Sequence, residues 1–180
     1  MKNKKLAKKI LKIYLEIRRF TSPFIFKKMY EVPIINKRWD RIKSYSLYEF
    51  SKEINSYSYN YDSLYGLFDA SFPSDCPEYF FQSLERGRDC DDFARIWRLW
   101  AEYQRMEAKE YVFLDIREPF KTAHVVCIAK EKEGKYWLFD YTPSGPFETF
   151  ESVINHMKTY YVEEYLIYER YRHEKEKVLQ

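Results

Sequence analysis

The stretch RGRDCDDFARIWRLW, residues 86–100, sets a cysteine among three acids at the start of an amphipathic run. Asp89 is a good helix N-cap, and Asp92, three residues on, places an acid in the first turn, where the helix dipole favours it. Phe93, Ile96, Trp97, Trp100 and Ala101 then recur at helical spacing over a wide apolar face. The run predicts a buried helix over residues 89–105. Asp92 has two uses open to it there, a free backbone amide or Arg95. Cys90 is either an inert core thiol or a thiol charged by some other group in the chain.

What the helix packs on follows directly. YVFLDI, AHVVCIA and KYWLFDYT read as strands, the last two joined by KEKEG. TFESVINHMK predicts a helix from about Glu148 to Lys158. YYVEEYLIYERY favours a strand through its aromatic and β-branched content. The tail from His173 is charged and is expected to fray. Upstream, FPSDCPEYFF is a loop entering a short helix, NSYSYNYDSLYG is a tyrosine-rich loop, and short helices are expected around Lys43–Ile54. The pattern is that of an α+β domain, a buried helix on a small antiparallel sheet behind a helical segment. Its expected divisions are a basic helical segment at 1–60, the main domain at 61–172 and a charged tail at 173–180.

The bulk composition agrees with one domain. In 180 residues, 46% are hydrophobic, enough for a core without staples. Three widely spaced cysteines form neither a disulfide framework nor a CxxC pair, which favours a reducing compartment. The N-terminus starts basic, like a signal peptide. Its apolar residues, however, are interrupted by Lys8, Lys9, Lys12, Glu16 and Arg18, so neither a signal-peptide core nor a transmembrane segment is expected, and the location expected is cytoplasmic.

Charge is unevenly spread. Residues 1–43 hold 14 Lys and Arg against 3 Asp and Glu, a balance of +11, and the whole-chain +3 leaves −8 for the rest. Leu6, Ile10, Ile13, Tyr14 and Ile17 fall at helical spacing among the bases, predicting an amphipathic helix over 3–20 that ends at Thr21-Ser22-Pro23. The expected arrangement is an apolar face docked on the domain and a basic face in water. An anionic partner, membrane or nucleic acid, is the alternative.

A cysteine nucleophile needs a base within hydrogen-bond reach, and the base needs a third group to orient it. Of three histidines, His173 lies in the tail and His156 on a short helix. His124 stands inside a strand beside apolar neighbours, where an idle imidazole is costly to desolvate. Its orienter follows from the pleat. If Lys132-Glu133-Gly134 is a three-residue hairpin loop, Glu131 faces Lys135 and Val126 faces Asp140. Asp140 is then the diagonal neighbour of His124 on one face. A two- or four-residue loop would turn it away. Cys76 and Cys127 read as packing residues, and the spacing of Cys76, Cys90 and His124 fits no ordinary zinc pattern.

At this point RDCDDFA…AHVV…YWLFD resembles the transglutaminase-like branch of the papain-like cysteine enzymes, nearest in motif to bacterial transglutaminase-like cysteine proteinases. The resemblance spans about residues 74–142; residues 1–60 lie outside it. It implies a papain-like fold, with Cys90 as nucleophile, His124 as base and Asp140 as orienter. The implied activity is attack on an amide of a protein or peptide substrate, as a cysteine peptidase or isopeptidase. Gln82 is an oxyanion candidate beside the backbone N–H of Cys90. No cofactor is required. In calcium-dependent members the acids flanking the cysteine bind Ca²⁺, and Asp89 and Asp91 hold those positions here. Arg88 departs from the pattern, standing where those proteins carry glycine. A catalytically retired domain, binding a partner through its cleft and basic helix, is the other function these residues allow.

Overall fold

The computed structural model describes residues 6, 9, 13, 37–59, 72, 76–82, 88–115, 124–158 and 165–169. Helix α1 spans Arg38–Ile42, α2 Leu47–Ile54, α3 Glu78–Gln82 and α4 Cys90–Tyr103. Strands β1 (Glu107–Asp115), β2 (His124–Lys130), β3 (Tyr136–Phe139) and β4 (Pro143–Phe147) follow, then helix α5 (Phe150–Lys158) and strand β5 (Tyr165–Glu169). The strands form one sheet in the order β4-β3-β2-β1-β5, every pair antiparallel. The chain is therefore α+β with a small antiparallel sheet. No helix among the described residues is long and apolar enough to cross a membrane.

Helix starts are capped by sequence. Ser46 and Glu49 form a reciprocal capping box on α2, each side chain bonding the other's backbone N–H. The carboxylate of Glu78, on α3, accepts from the N–H groups of Arg38 and Trp39 at 2.8 and 3.0 Å and so satisfies the opening of α1.

Each face of the sheet buries a different helix. On one side Ala108, Val112, Val125, Cys127, Ala129 and Phe139 meet Phe93, Ile96, Trp97 and Trp100 of α4, with Phe50 and Ile54 of α2 completing the cluster. The Trp97 and Phe139 rings stack at 4.7 Å. On the other side Phe113, Val126, Ile128 and Leu138 meet Val153 and Met157 of α5. Strand β2 is covered on both sides, which is why VVCIA is a continuous apolar run rather than an alternating one.

The hairpin between β2 and β3 has the expected loop. Lys130 pairs with Tyr136, the Glu131 N–H donates to the Lys135 carbonyl, and Gly134 takes φ +93°. That backbone region suits glycine and strains other residues. Helix α5 begins at Phe150, two residues later than expected, with Thr149 Oγ1 accepting from the Ser152 N–H. Strand β4, with two prolines in five residues, was not among the expected strands. As the outer strand beyond β3, it tolerates them.

Of the expected helix over 3–20, only Leu6, Lys9 and Ile13 fall among the described residues; all three are helical and exposed. Residues 55–59 of the expected loop NSYSYNYDSLYG lie in no helix or strand; the rest of it, and the tail from His173, fall outside the described residues.

Candidate active site

Cys90 is the first residue of α4, and the turn before it is tightly held. Asp89, extended at φ −101° and ψ −166°, accepts from the Asp91 N–H through Oδ1 at 3.2 Å and serves as the expected N-cap. Arg88 is 5% exposed. Its Nε donates to the Phe80 carbonyl and its guanidinium lies 4.5 Å from the Tyr57 ring centroid. Of the two uses open to Asp92, the backbone amide is present: its Oδ1 accepts from the Phe72 N–H at 3.3 Å. Replacing Asp89 by alanine is expected to destabilise the chain by about 1 kcal/mol through loss of the cap. A urea midpoint indistinguishable from that of the parent would remove the capping role.

The His–Asp pair expected from the pleat is present. His124 Nε2 lies 2.9 Å from Asp140 Oδ2. The other carboxylate oxygen, Oδ1, accepts from the Tyr141 N–H at 2.7 Å, so both oxygens are held. Tyr141 is itself anchored, its hydroxyl donating to the carbonyls of Asn55 and Tyr57. A carboxylate only accepts, so Nε2 carries the hydrogen of the neutral imidazole and Nδ1 carries the lone pair. The pair is partly open, with side-chain exposures of 17% for His124 and 34% for Asp140.

Topology brings Cys90 to the same end of the molecule. Helix α4 ends at Tyr103, and β1 starts at Glu107 and runs back along it. Fourteen helical residues rise about 21 Å at 1.5 Å each. The six steps from Glu107 to Phe113 cover about 20 Å. Phe113 is the register partner of His124, so the start of α4 and the start of β2 are level. Consistent with this, the ring of Phe93, one turn past Cys90, lies 4.9 Å from that of Tyr141, next to Asp140. By strand alternation His124 belongs to the side of Val126 and Ile128, which α5 covers. Helix α4 packs on the opposite side, against Val125, Cys127 and Ala129, so the route from His124 to Cys90 runs around the end of the sheet where β2 begins, not across its face.

The three acids around Cys90 are buried, and one ligand atom from each of Asp89, Asp91 and Asp92 lies within 4.8 Å of the others. Calcium takes six to eight oxygens. The described residues offer three carboxylates, and two of those already accept backbone N–H groups. These three carboxylates are the residues that would hold such an ion, and no step below passes through it. Gln82 closes α3, but its side chain lies outside the described residues.

Sequence reading missed a second charged group at the α4–β1 contact. Glu110 is 1% exposed and its Oε1 accepts from Arg95 Nε at 3.2 Å and Arg98 Nε at 2.9 Å. Burial pulls the Arg98 pKa down, but the nearby Glu110 and Glu102 carboxylates prevail and raise it. The signal was available in the pleat. Glu110 alternates with Ala108 and Val112 on the side facing α4.

Comparison of the chain with protein-family models, curated proteins and solved structures yields no match.

Proposed function

We propose that the chain is a thiol-dependent acyl-transfer enzyme of transglutaminase-like, papain-like type, a cysteine peptidase or isopeptidase. One observation supports it above the rest: a partly open His124–Asp140 hydrogen bond, level with a cysteine that opens a capped helix. In this mechanism His124 Nδ1 takes the Cys90 thiol proton. The thiolate is favoured by the positive helix end and by the imidazolium. The sulfur attacks the amide carbonyl carbon, and the Cys90 backbone N–H, at the first helical position, is offered to the oxyanion. The imidazolium returns its proton to the leaving amine as the C–N bond breaks, leaving a thioester. His124 then deprotonates water, which attacks the thioester and releases the acid and the free thiol. Asp140 holds the ring in the tautomer these steps require.

A catalytically retired binding domain has one observation in its favour. Buried carboxylates on both sides of Cys90 disfavour a thiolate. Alkylation separates the two functions without a known substrate. At pH 6, iodoacetamide is expected to label Cys90 ahead of Cys76 and Cys127, read by mass spectrometry of the peptides. Cys127 is fully buried, and burial pushes its thiol well above the ordinary range, so it should label last. Equal rates for Cys90 and the half-buried Cys76 would favour the retired domain.

A further inference from the structure

We propose that the basic N-terminal segment docks, through Leu6, Lys9 and Ile13, on an anionic phospholipid surface. Leu6, Lys9 and Ile13 are helical and exposed, and stand at i, i+3 and i+7, one line along a helix. Leu6 is 58% and Ile13 52% exposed, large aliphatic side chains held in water on either side of an ammonium. A headgroup boundary accepts this combination: the aliphatic groups enter the acyl edge while the lysine stays among the phosphates. The surrounding sequence supplies the matching charge. Residues 1–20 carry eight Lys and Arg and a single acid, Glu16. Basic clusters of this size are attracted to anionic lipid, and the attraction fades within a Debye length. A nucleic acid would engage the bases and leave Leu6 and Ile13 in water, so lipid is the occupant that uses both halves of the pattern. This inference is independent of the thiol chemistry.

The test is co-sedimentation of the full chain with vesicles of phosphatidylcholine alone or mixed equally with phosphatidylglycerol. Binding is expected only with phosphatidylglycerol, falling about tenfold or more when salt rises from about 0.1 to 0.5 M. A Leu6→Glu/Ile13→Glu variant should lose about tenfold or more in vesicle binding with its thermal midpoint unchanged. No binding to anionic vesicles, or binding that ignores the glutamate pair, overturns the proposal; the latter would leave the bases acting alone, as on a nucleic acid. Unfolding of the glutamate variant would place both residues in the core and overturn it too. A Lys8→Gln/Lys9→Gln variant keeps every apolar side chain, and vesicle binding unchanged in it is equally fatal.

Discussion

Replacing Glu110 by alanine is expected to destabilise the chain by about 3–5 kcal/mol, the cost of stranding a buried ion pair's partner. The Glu110 side chain is fully buried and its Oε1 serves both Arg95 and Arg98. Without it Arg95, 6% exposed, keeps its bond to the Phe72 carbonyl but loses its charged partner at Glu110. Arg98 is less affected, since Glu102 also holds it, 3.0 Å away and partly in water. The lower end of the range is therefore expected, and a thermal midpoint lower by about 10 °C for a chain of this size. Glu110→Gln retains an acceptor but not the charge and should fall between. Replacing Arg95, Arg98 and Glu110 together by aliphatic residues should be far milder than Glu110→Ala, because none of the three charges is then left without its partner and Glu102 reaches water. A Glu110→Ala midpoint within about 1 °C of the parent would mean that water already reaches these groups. The network joins α4 to β1, the two elements whose matched lengths bring Cys90 level with His124, so its loss should also slow the labelling of Cys90.

His124→Ala should lower the alkylation rate of Cys90 at pH 6 by about tenfold. The size follows from two opposing factors. An ordinary thiol is about 0.3% ionised at pH 6, and pairing with an imidazolium raises that fraction about a hundredfold. A thiolate of lower pKa is also a weaker nucleophile, which takes back about a factor of ten. The alanine variant should show a rate rising with pH up to the ordinary thiol range, in place of a low-pH plateau. Asp140→Asn should remove most of the same plateau. The amide group can donate to Nε2, moving the ring hydrogen to Nδ1, where the thiol proton is needed. Both side chains stand at the open end of the sheet, so circular dichroism should remain that of the parent. A labelling profile unmoved by His124→Ala would end the enzymatic proposal.

The hairpin carrying the pair was legible because three residues with glycine last leave one register, and register alone decides whether Asp140 faces His124. Helix α4 was legible because its cap, its charged first turn and its apolar period agree. Strand β4 was not, since proline depletion in strands reflects lost ladder bonds, and an outer strand has one side on which none are needed. Glu110 was missed for a different reason: a charge in a strand reads as outward, and only a partner twelve or fifteen residues away on another element reverses that. The calcium expectation came from resemblance, and the structure adds to it only that Asp89, Asp91 and Asp92 stand together and buried. The Gln82 side chain stays outside the described residues, and of the early basic helix only three positions fall within them.

Strand β4 has a consequence for how these molecules behave at high concentration. Pro143 and Pro146 give its backbone no N–H, and Gly145, at φ +133°, bends it where a β-carbon would come within 3.0 Å of the Tyr136 carbonyl. The ladder to β3 shifts register at the same place. A strand so short, kinked and poor in donors cannot template pairing by a second chain. This margin of the sheet is thereby guarded against edge-to-edge aggregation.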